Sequence, residues 1–89
     1  MPEYIPTRLL RSAAILAEEL NYSRAAKKLA LSARELRKLI STLENRLCFR
    51  IFLPRRGNVQ LTREGAILLR AFARFLSSSN RPNSRARRT

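Results

Sequence analysis

Hydrophobic positions recur with a helical period between residues 32 and 47. At about 100° per residue, the apolar side chains of this segment fall on one stripe, formed by Leu36, Leu39, Ile40, Leu43 and Leu47. The opposite side carries only cations and neutral hydrogen-bonding groups, namely Arg34, Arg37, Lys38, Ser41 and Asn45. Glu35 and Glu44 stand at its flanks, where they can cap or pair. The pattern predicts a helix with a buried stripe and a free basic face, although a charge stripe taken alone is more often a solvated surface.

A shorter helix is predicted just before this one. Ser23 is suited to cap a helix over residues 24–29, because its hydroxyl can accept a hydrogen bond from an unpaired first-turn amide. Ser32 and Glu35 fit the capping box that opens the longer helix. Two or three residues separate the two helices, and this short connection forces the sharp crossing of a helix-turn-helix. The motif favours DNA binding over a solvated face.

A supporting helix is predicted at the start of the chain, from Pro6 to about Glu19. Its apolar face consists of Leu9, Leu10, Ala13, Ala14, Leu16 and Ala17. Tyr22 is either a hydrophobic staple or a core aromatic whose hydroxyl reaches solvent, and we expect the core position. The buried side of the short helix is predicted to comprise Ala25, Ala26 and Leu29. The outer side of the short helix carries Arg24, Lys27 and Lys28. These three cations either contact phosphates or merely keep the protein soluble.

The hydrophobic period changes after the longer helix. Residues 50–53 and 58–61 are short β-favouring segments on either side of a turn-forming stretch that begins at Pro54. They predict a two-stranded wing with Arg55 and Arg56 at its tip. Arginines there could enter a minor groove, where A·T-rich DNA concentrates negative potential. A surface turn with incidental arginines is the alternative.

The last predicted helix is unusually apolar. Thr62 offers an N-cap for a helix over residues 63–76. More than half of its circumference is covered by Ala66, Ile67, Leu68, Leu69, Ala71, Phe72, Ala73, Phe75 and Leu76. Because a domain this small cannot easily cover such a surface, we predict a homodimer contact that includes Leu69, Phe72 and Leu76. A wide internal core contact is the alternative.

The apolar periodicity divides the chain into one folded domain and a tail. Residues 1–76 are predicted to form the domain. Residues 77–89 lack apolar periodicity and carry four arginines, so we predict a disordered basic tail.

The net positive charge of the chain indicates what kind of partner it binds. The chain has 19 Lys and Arg against 6 acidic residues, giving a net charge of +13 and a pI near 11.8. Such a surplus favours a polyanion, because neutralising phosphates releases condensed counterions. Anionic lipid is the competing polyanion. However, no run reaches the roughly 18 apolar residues of a membrane span, and residues 1–6 lack the order of a secretion signal. We therefore expect double-stranded DNA as partner and no membrane.

Composition argues against catalysis and against a metal or cofactor. The chain has no histidine, no aspartate and one cysteine, so the usual zinc ligand sets and the histidine-based triads are missing. Phosphate-binding glycine loops are missing too. Adjacent Glu18 and Glu19 would point about 100° apart on a helix, with nothing that suggests a pocket. Cys48 is expected to be a packed thiol rather than a reactive one, in a reducing compartment. We predict that the protein is not an enzyme.

Several of these features, in register, resemble the N-terminal winged helix-turn-helix of LysR-type transcriptional regulators. The similarity covers roughly residues 9–76 and rests on the run from Ser23 to Ser32 and on Leu36, Ile40, Leu43-Glu44, Leu47, Ile51-Phe52 and Leu61-Thr62-Arg63-Glu64-Gly65. It implies a mainly α fold of three helices, a short β wing and a C-terminal linker helix for dimerisation. It also implies promoter binding as a dimer in the bacterial cytoplasm, associated with the nucleoid. The large effector-binding domain that such regulators carry has no counterpart in this chain.

The sequence departs from this family mostly where DNA would be read. After the serine the family commonly has Gln-Pro-Ala-Leu-Ser-Arg-Gln. Here Ala33 and Arg37 replace the glutamine and serine that often touch DNA, and Lys38 replaces the arginine. The family's wing arginine falls on Pro54, beside Arg55. Different DNA or weaker selectivity is implied. The family has a glycine after the recognition helix, and Cys48 stands at that position here. A cysteine is tolerated there only if the turn does not need a positive φ.

The predicted function is sequence-selective double-stranded DNA binding by a homodimeric transcriptional regulator. Two alternatives are a non-specific architectural DNA binder and a basic module that binds acidic proteins. The candidate DNA-contacting residues are Ser23, Arg24, Ser32, Ala33, Arg34, Arg37, Lys38, Ser41, Arg55 and Arg56.

Overall fold

The computed structural model describes the backbone of residues 5–88 and the side chains of residues 5–75. This part of the chain forms four helices and one antiparallel hairpin, in the order α1 (Thr7–Glu19), α2 (Tyr22–Leu29), α3 (Ala33–Leu47), β1 (Phe52–Arg55), β2 (Asn58–Leu61) and α4 (Arg63–Arg88). The predicted fold class, a mainly helical winged helix-turn-helix with a C-terminal helix, is confirmed.

The start of α2 differs from the prediction. Asn21 is its N-cap, because the Asn21 side chain accepts a hydrogen bond from the Arg24 amide at 2.9 Å. Ser23 lies inside the first turn and is exposed. The predicted Ser23 cap is therefore wrong, since an asparagine two residues earlier already satisfies the free amide.

The other two predicted caps are confirmed. At the start of α3, the Ser32 amide donates to Glu35 Oε1 at 2.8 Å and the Glu35 amide donates to Ser32 Oγ at 3.0 Å. The hydrogen bond from the Ser32 amide holds the pKa of Glu35 below its usual value. At the start of α4, the Gly65 amide donates to Thr62 Oγ1 at 2.9 Å. These local bonds set where both helices begin.

The first three helices pack around a common core. Ala25 and Ala26 are buried on α2, and their small side chains let α2 approach α1 and α3 closely. The predicted stripe of α3 is buried at Leu36, Ile40 and Leu43 and half-buried at Leu39 and Leu47. The same core includes Leu9, Ala13 and Leu16 of α1, Ile51 before the hairpin, and Phe52, Val59 and Leu69. Burial of the stripe turns the basic face of α3 outward.

The hairpin confirms the predicted wing. Its register pairs Phe52 with Leu61 and Arg55 with Asn58, which leaves a two-residue turn at Arg56 and Gly57. Both turn residues have positive φ, 43° and 81°, as a type I′ turn requires. The first strand begins at Phe52 rather than at residue 50.

The last helix buries part of the surface that suggested a dimer. Leu69 and Phe72 are only 8% and 7% exposed, so the chain itself covers them. Ile67 and Phe75 are instead 59% and 63% exposed. The backbone of α4 continues to Arg88, beyond the end predicted near Leu76. The Leu76 side chain lies outside the described part, and the division of the chain at residue 76 stays a prediction.

Cys48 ends α3 in the left-handed region, with φ of 63°. The expectation that this turn does not need a positive φ is therefore wrong. The thiol is also exposed rather than packed. A side chain is accommodated there at a conformational cost that glycine would not incur.

Replacing Cys48 with Gly is expected to stabilise the domain by about 0.5–1 kcal/mol. The left-handed conformation costs a residue with a Cβ roughly 1–2 kcal/mol, and the greater freedom of glycine in the unfolded chain offsets part of the gain. Thermal denaturation under reducing conditions measures the change. Cys48→Ala is the matched control, since it removes the thiol but keeps the Cβ. Equal stability of the Gly and Ala variants would contradict the prediction.

Candidate nucleic-acid interface

The basic face of α3 is exposed to solvent. Arg34, Arg37, Lys38 and Ser41 are exposed, and Ala33 is half-buried at the start of the helix. The capping residue Ser32 is also exposed. Because the opposite stripe is buried, these side chains can contact a partner without unfolding the core. The face has the size and chemistry for hydrogen bonds to phosphates and to base edges.

A second group of predicted residues meets where α2 approaches the wing. Arg24, Arg55 and Arg56 line one crease together with Asn21 and Asn58. Ser23 is exposed in the first turn of α2. The structure thus brings together three of the predicted DNA-contacting cations. Arg24 of α2 lines the same surface crease as Arg55 and Arg56 of the wing.

Two hydrogen bonds attach the wing to the corner between α1 and α2. Asn21 Nδ2 donates to Asn58 Oδ1 at 2.8 Å, and the Val59 amide donates to the Leu20 carbonyl at 3.3 Å. Asn21 therefore caps α2 and contacts the wing with one side chain. The predicted cap at Ser23 left this role of Asn21 unpredicted.

Glu44 attaches the other end of the wing to α3. Its Oε2 accepts hydrogen bonds from the Ile51 amide at 2.6 Å and the Phe52 amide at 3.0 Å, and its Oε1 lies 3.3 Å from Arg50 Nε. The side chain is only 13% exposed. Thr62 Oγ1 adds a bond to the Arg50 carbonyl at 2.7 Å. The sequence indicated that Glu44 can cap or pair, but not that it sets the geometry between α3 and the wing.

The cations of α2 are partly compensated by an acid at the end of α1. Glu19 Oε2 lies 2.7 Å from Lys28 Nζ, and Glu19 Oε1 lies 3.8 Å from Arg24 Nε. The hydrogen bond from Lys28 is the main cause that lowers the pKa of Glu19, and it raises the pKa of Lys28. Glu19 thus stays ionised at neutral pH and pairs with both cations, more closely with Lys28.

Arg37 is held by an aromatic ring. Its guanidinium carbon lies over the ring of Tyr22, 4.4 Å from the centroid. Tyr22 is half-buried, and burial is the main cause that raises the pKa of its hydroxyl, so it stays protonated at neutral pH. Tyr22 packs against the core with part of its surface exposed, which agrees with the predicted core position, and its ring also contacts Arg37.

The described residues offer no evident metal site and no membrane span. Among them, no group of three or more His, Cys, Asp or Glu residues is placed to hold a metal ion. No helix within the described part combines the length and the apolar character needed to cross a membrane.

Comparison with known proteins gives consistent matches. Residues 7–66 match the family model described as "Bacterial regulatory helix-turn-helix protein, lysR family". The HTH-type transcriptional regulator XapR of Escherichia coli (strain K12) is 38% identical over 73 residues, which is 82% of this chain and 25% of XapR. The chain therefore spans about a quarter of the length of this relative.

Solved structures match over most of the chain. The BenM_DBD/catB site 1 DNA complex has a TM-score of 0.81 and 26% identity, covering 94% of this chain and 90% of that chain. The CbnR_DBD–DNA complex has a TM-score of 0.80 and 26% identity, covering 93% and 95%. Both of these relatives were solved bound to DNA.

Proposed function

Because the chain belongs to the lysR family of bacterial regulatory helix-turn-helix proteins, we propose that it binds double-stranded DNA sequence-selectively and regulates transcription as a homodimer. The proposal places it in the bacterial cytoplasm, at the nucleoid, and involves no enzymatic step. The observation that carries it is the exposed basic face of α3, flanked by a wing that is bonded at both ends to the helical core. The similar DNA complexes of BenM and CbnR support the same mode of binding.

The proposed contacts divide by chemistry. Arg34, Arg37, Lys38 and Ser41 of α3 are assigned to the major groove, where base edges present a distinct pattern of donors and acceptors. Ser23, Arg24, Ser32 and Ala33 lie at the starts of α2 and α3, where the serine hydroxyls, the Arg24 guanidinium and the helix N-termini suit phosphates. Arg55 and Arg56 at the wing tip are assigned to a flanking minor groove.

The homodimer is proposed to form along α1 and α4. An apolar groove there is lined by Ile5, Leu10, Leu68, Ala71 and Phe75. Phe75 in this groove and Ile67 elsewhere on α4 are more than half exposed, which is costly for large apolar side chains in an isolated domain. Of the residues that the sequence placed at the contact, Phe72 also lines this groove although it is only 7% exposed, whereas Leu69 is buried and does not line it. A two-fold contact would set two α3 helices at a fixed separation.

Selection of bound fragments from random duplex DNA tests the proposal directly. A recurrent pseudo-palindromic site, bound with an affinity that falls steeply with salt, is the expected result. Recovery of unrelated sequences would instead indicate an architectural binder. Absence of salt-sensitive binding would indicate a module that binds acidic proteins.

Replacing Arg55 and Arg56 together with Ala is expected to weaken binding most where the flank of the site is A·T-rich. A narrow minor groove concentrates negative potential, so loss of inserted arginines should cost on the order of tenfold there and clearly less on a G·C-rich flank. Electrophoretic mobility shifts on paired probes measure the difference. The matched control replaces Arg70 and Arg74 of α4, both exposed, and changes the net charge equally. Equal losses on the two flanks would contradict groove insertion.

A further inference from the structure

We propose, on the basis of the DNA-binding function above, that Tyr22 is a positioning residue that aims Arg37 at a guanine beside the wing. The two residues belong to different helices, since Tyr22 is the first residue of α2 and Arg37 lies in the second turn of α3. Their contact spans the helix-turn-helix. It therefore restrains a long side chain that would otherwise sample many rotamers along α3.

The geometry of the contact leaves the hydrogen-bonding edge of Arg37 available. The guanidinium carbon lies over the Tyr22 ring at 4.4 Å from the centroid, within the range of a cation–π interaction. Such a contact uses the face of the guanidinium, whereas its N–H donors lie at the edge. In the part of the chain with described side chains, no carboxylate forms an ion pair with Arg37. The donors are thus free for a ligand.

The acid that lines this cleft is already engaged. Glu44 lines the same cleft as Tyr22 and Arg37, but its oxygens accept the Ile51 and Phe52 amides and contact Arg50. Arg50 therefore satisfies the carboxylate that would otherwise attract Arg37. Among the described side chains, Arg37 thus contacts the Tyr22 ring in the cleft between α3 and the wing but forms no ion pair with a carboxylate.

The position of the cleft indicates which part of DNA Arg37 would meet. Pro54, Gly57 and Asn58 of the wing line it together with Arg37 of α3. A guanidinium held at this edge of the recognition face can donate two parallel hydrogen bonds to O6 and N7 of a guanine, the bidentate pairing that the planar fork fits. Position 37 is also one of those at which the sequence departs from the family's common run. The structure thus assigns base selectivity to a pair, not to a single arginine.

A double-mutant cycle tests the coupling. The probes are the duplex recovered by selection and a random-sequence duplex of equal length. Tyr22→Leu should weaken binding to the selected duplex about three- to tenfold and to the random duplex less. Tyr22→Phe, which keeps the ring, should bind like the wild type. In the Arg37→Ala background, Tyr22→Leu should cost nothing further, because its effect acts through Arg37. Additive losses would overturn the proposal.

Two further measurements separate positioning from a structural role. Without DNA, nuclear magnetic resonance should show ring-current shifts of the Arg37 side chain in the wild type and in Tyr22→Phe. If Tyr22→Leu does not fold by circular dichroism, Arg37→Lys replaces it, since lysine keeps the charge but loses the planar fork. Arg37→Lys should lose selectivity as Arg37→Ala does. Full selectivity of Arg37→Lys, or absence of the shifts, would overturn the proposal.

Base analogues identify the ligand. Guanines of the selected site are replaced singly by 7-deazaguanine, which lacks the N7 acceptor. One replacement should weaken wild-type binding on the order of tenfold and leave Arg37→Ala unaffected. If every replacement is tolerated, Arg37 contacts phosphate and the guanine assignment is wrong. A wild-type protein without salt-sensitive, selective binding would refute the proposed function itself, whereas a selective wild type with an additive cycle refutes only this inference.

Discussion

Replacing Phe75 with Glu is expected to convert the proposed homodimer into folded monomers that bind one half-site. Phe75 is 63% exposed at an apolar groove between α1 and α4, so a carboxylate there would remain solvated in the monomer but not in the dimer. Affinity for paired half-sites should fall at least about 100-fold, because the second half-site no longer binds as part of the same particle. Affinity for a single half-site should change little.

The control variant adds the same negative charge at another position of α4. Ala73 is exposed on α4 and does not line the groove, so Ala73→Glu adds the same carboxylate to the same helix. Sedimentation should show dimers for the wild type and for Ala73→Glu, and monomers for Phe75→Glu. The wild type should prefer half-sites about one helical turn, roughly 34 Å, or a multiple of it apart. A monomeric wild type that binds single and paired sites equally would refute the dimer.

Leu69 provides a contrast within the same helix. It is 8% exposed, so Leu69→Glu would bury a charge inside the monomer and should unfold the domain rather than merely separate subunits. Circular dichroism distinguishes the two outcomes. A folded Leu69→Glu monomer would indicate that Leu69 belongs to the subunit contact, as the sequence pattern first suggested.

Replacing Gly65 with Ala is expected to destabilise the domain by about 3 kcal/mol, the upper part of the range for overpacking. A Cβ at residue 65 would lie 2.6 Å from the Ile51 carbonyl oxygen, 2.7 Å from Ile51 Cγ2 and 2.9 Å from Ile51 Cα. Two of these atoms are backbone, and the same carbonyl accepts the Thr62 amide at 2.9 Å. The start of α4 would have to move away from the wing.

Helix propensity makes the opposite prediction for this substitution. In a helix interior, alanine is favoured over glycine by about 1 kcal/mol, so a contact-free position would become more stable. Gly57→Ala is the control, because its added Cβ meets nothing within 4 Å and only the φ of 81° opposes it. Thermal denaturation should show a large loss for Gly65→Ala, at roughly 4–8 °C per kcal/mol, and a smaller one for Gly57→Ala. An unchanged or stabilised Gly65→Ala would contradict the close packing.

Elements that depend on neighbouring residues were predictable from the sequence. The capping box of Ser32 and Glu35 and the Thr62 cap involve groups three residues apart, so residue type and spacing were sufficient. The buried stripe of α3 follows from its period alone. The wing followed from β-favouring segments around a turn whose glycine suits a positive φ. The same period therefore predicted that the α3 cations Arg34, Arg37 and Lys38 would be exposed.

Contacts between distant segments were decided only by the tertiary structure. The Glu44 carboxylate reaches amides seven and eight residues away, and Asn21 reaches Asn58 across 37 positions. The period of α4 showed an apolar excess but not which part α1 would cover, so Leu69 and Phe75 could not be told apart. Tyr22 and Arg37 met for the same reason, because the crossing of α2 and α3 is fixed by the packing of Ala25 and Ala26 rather than by either helix alone.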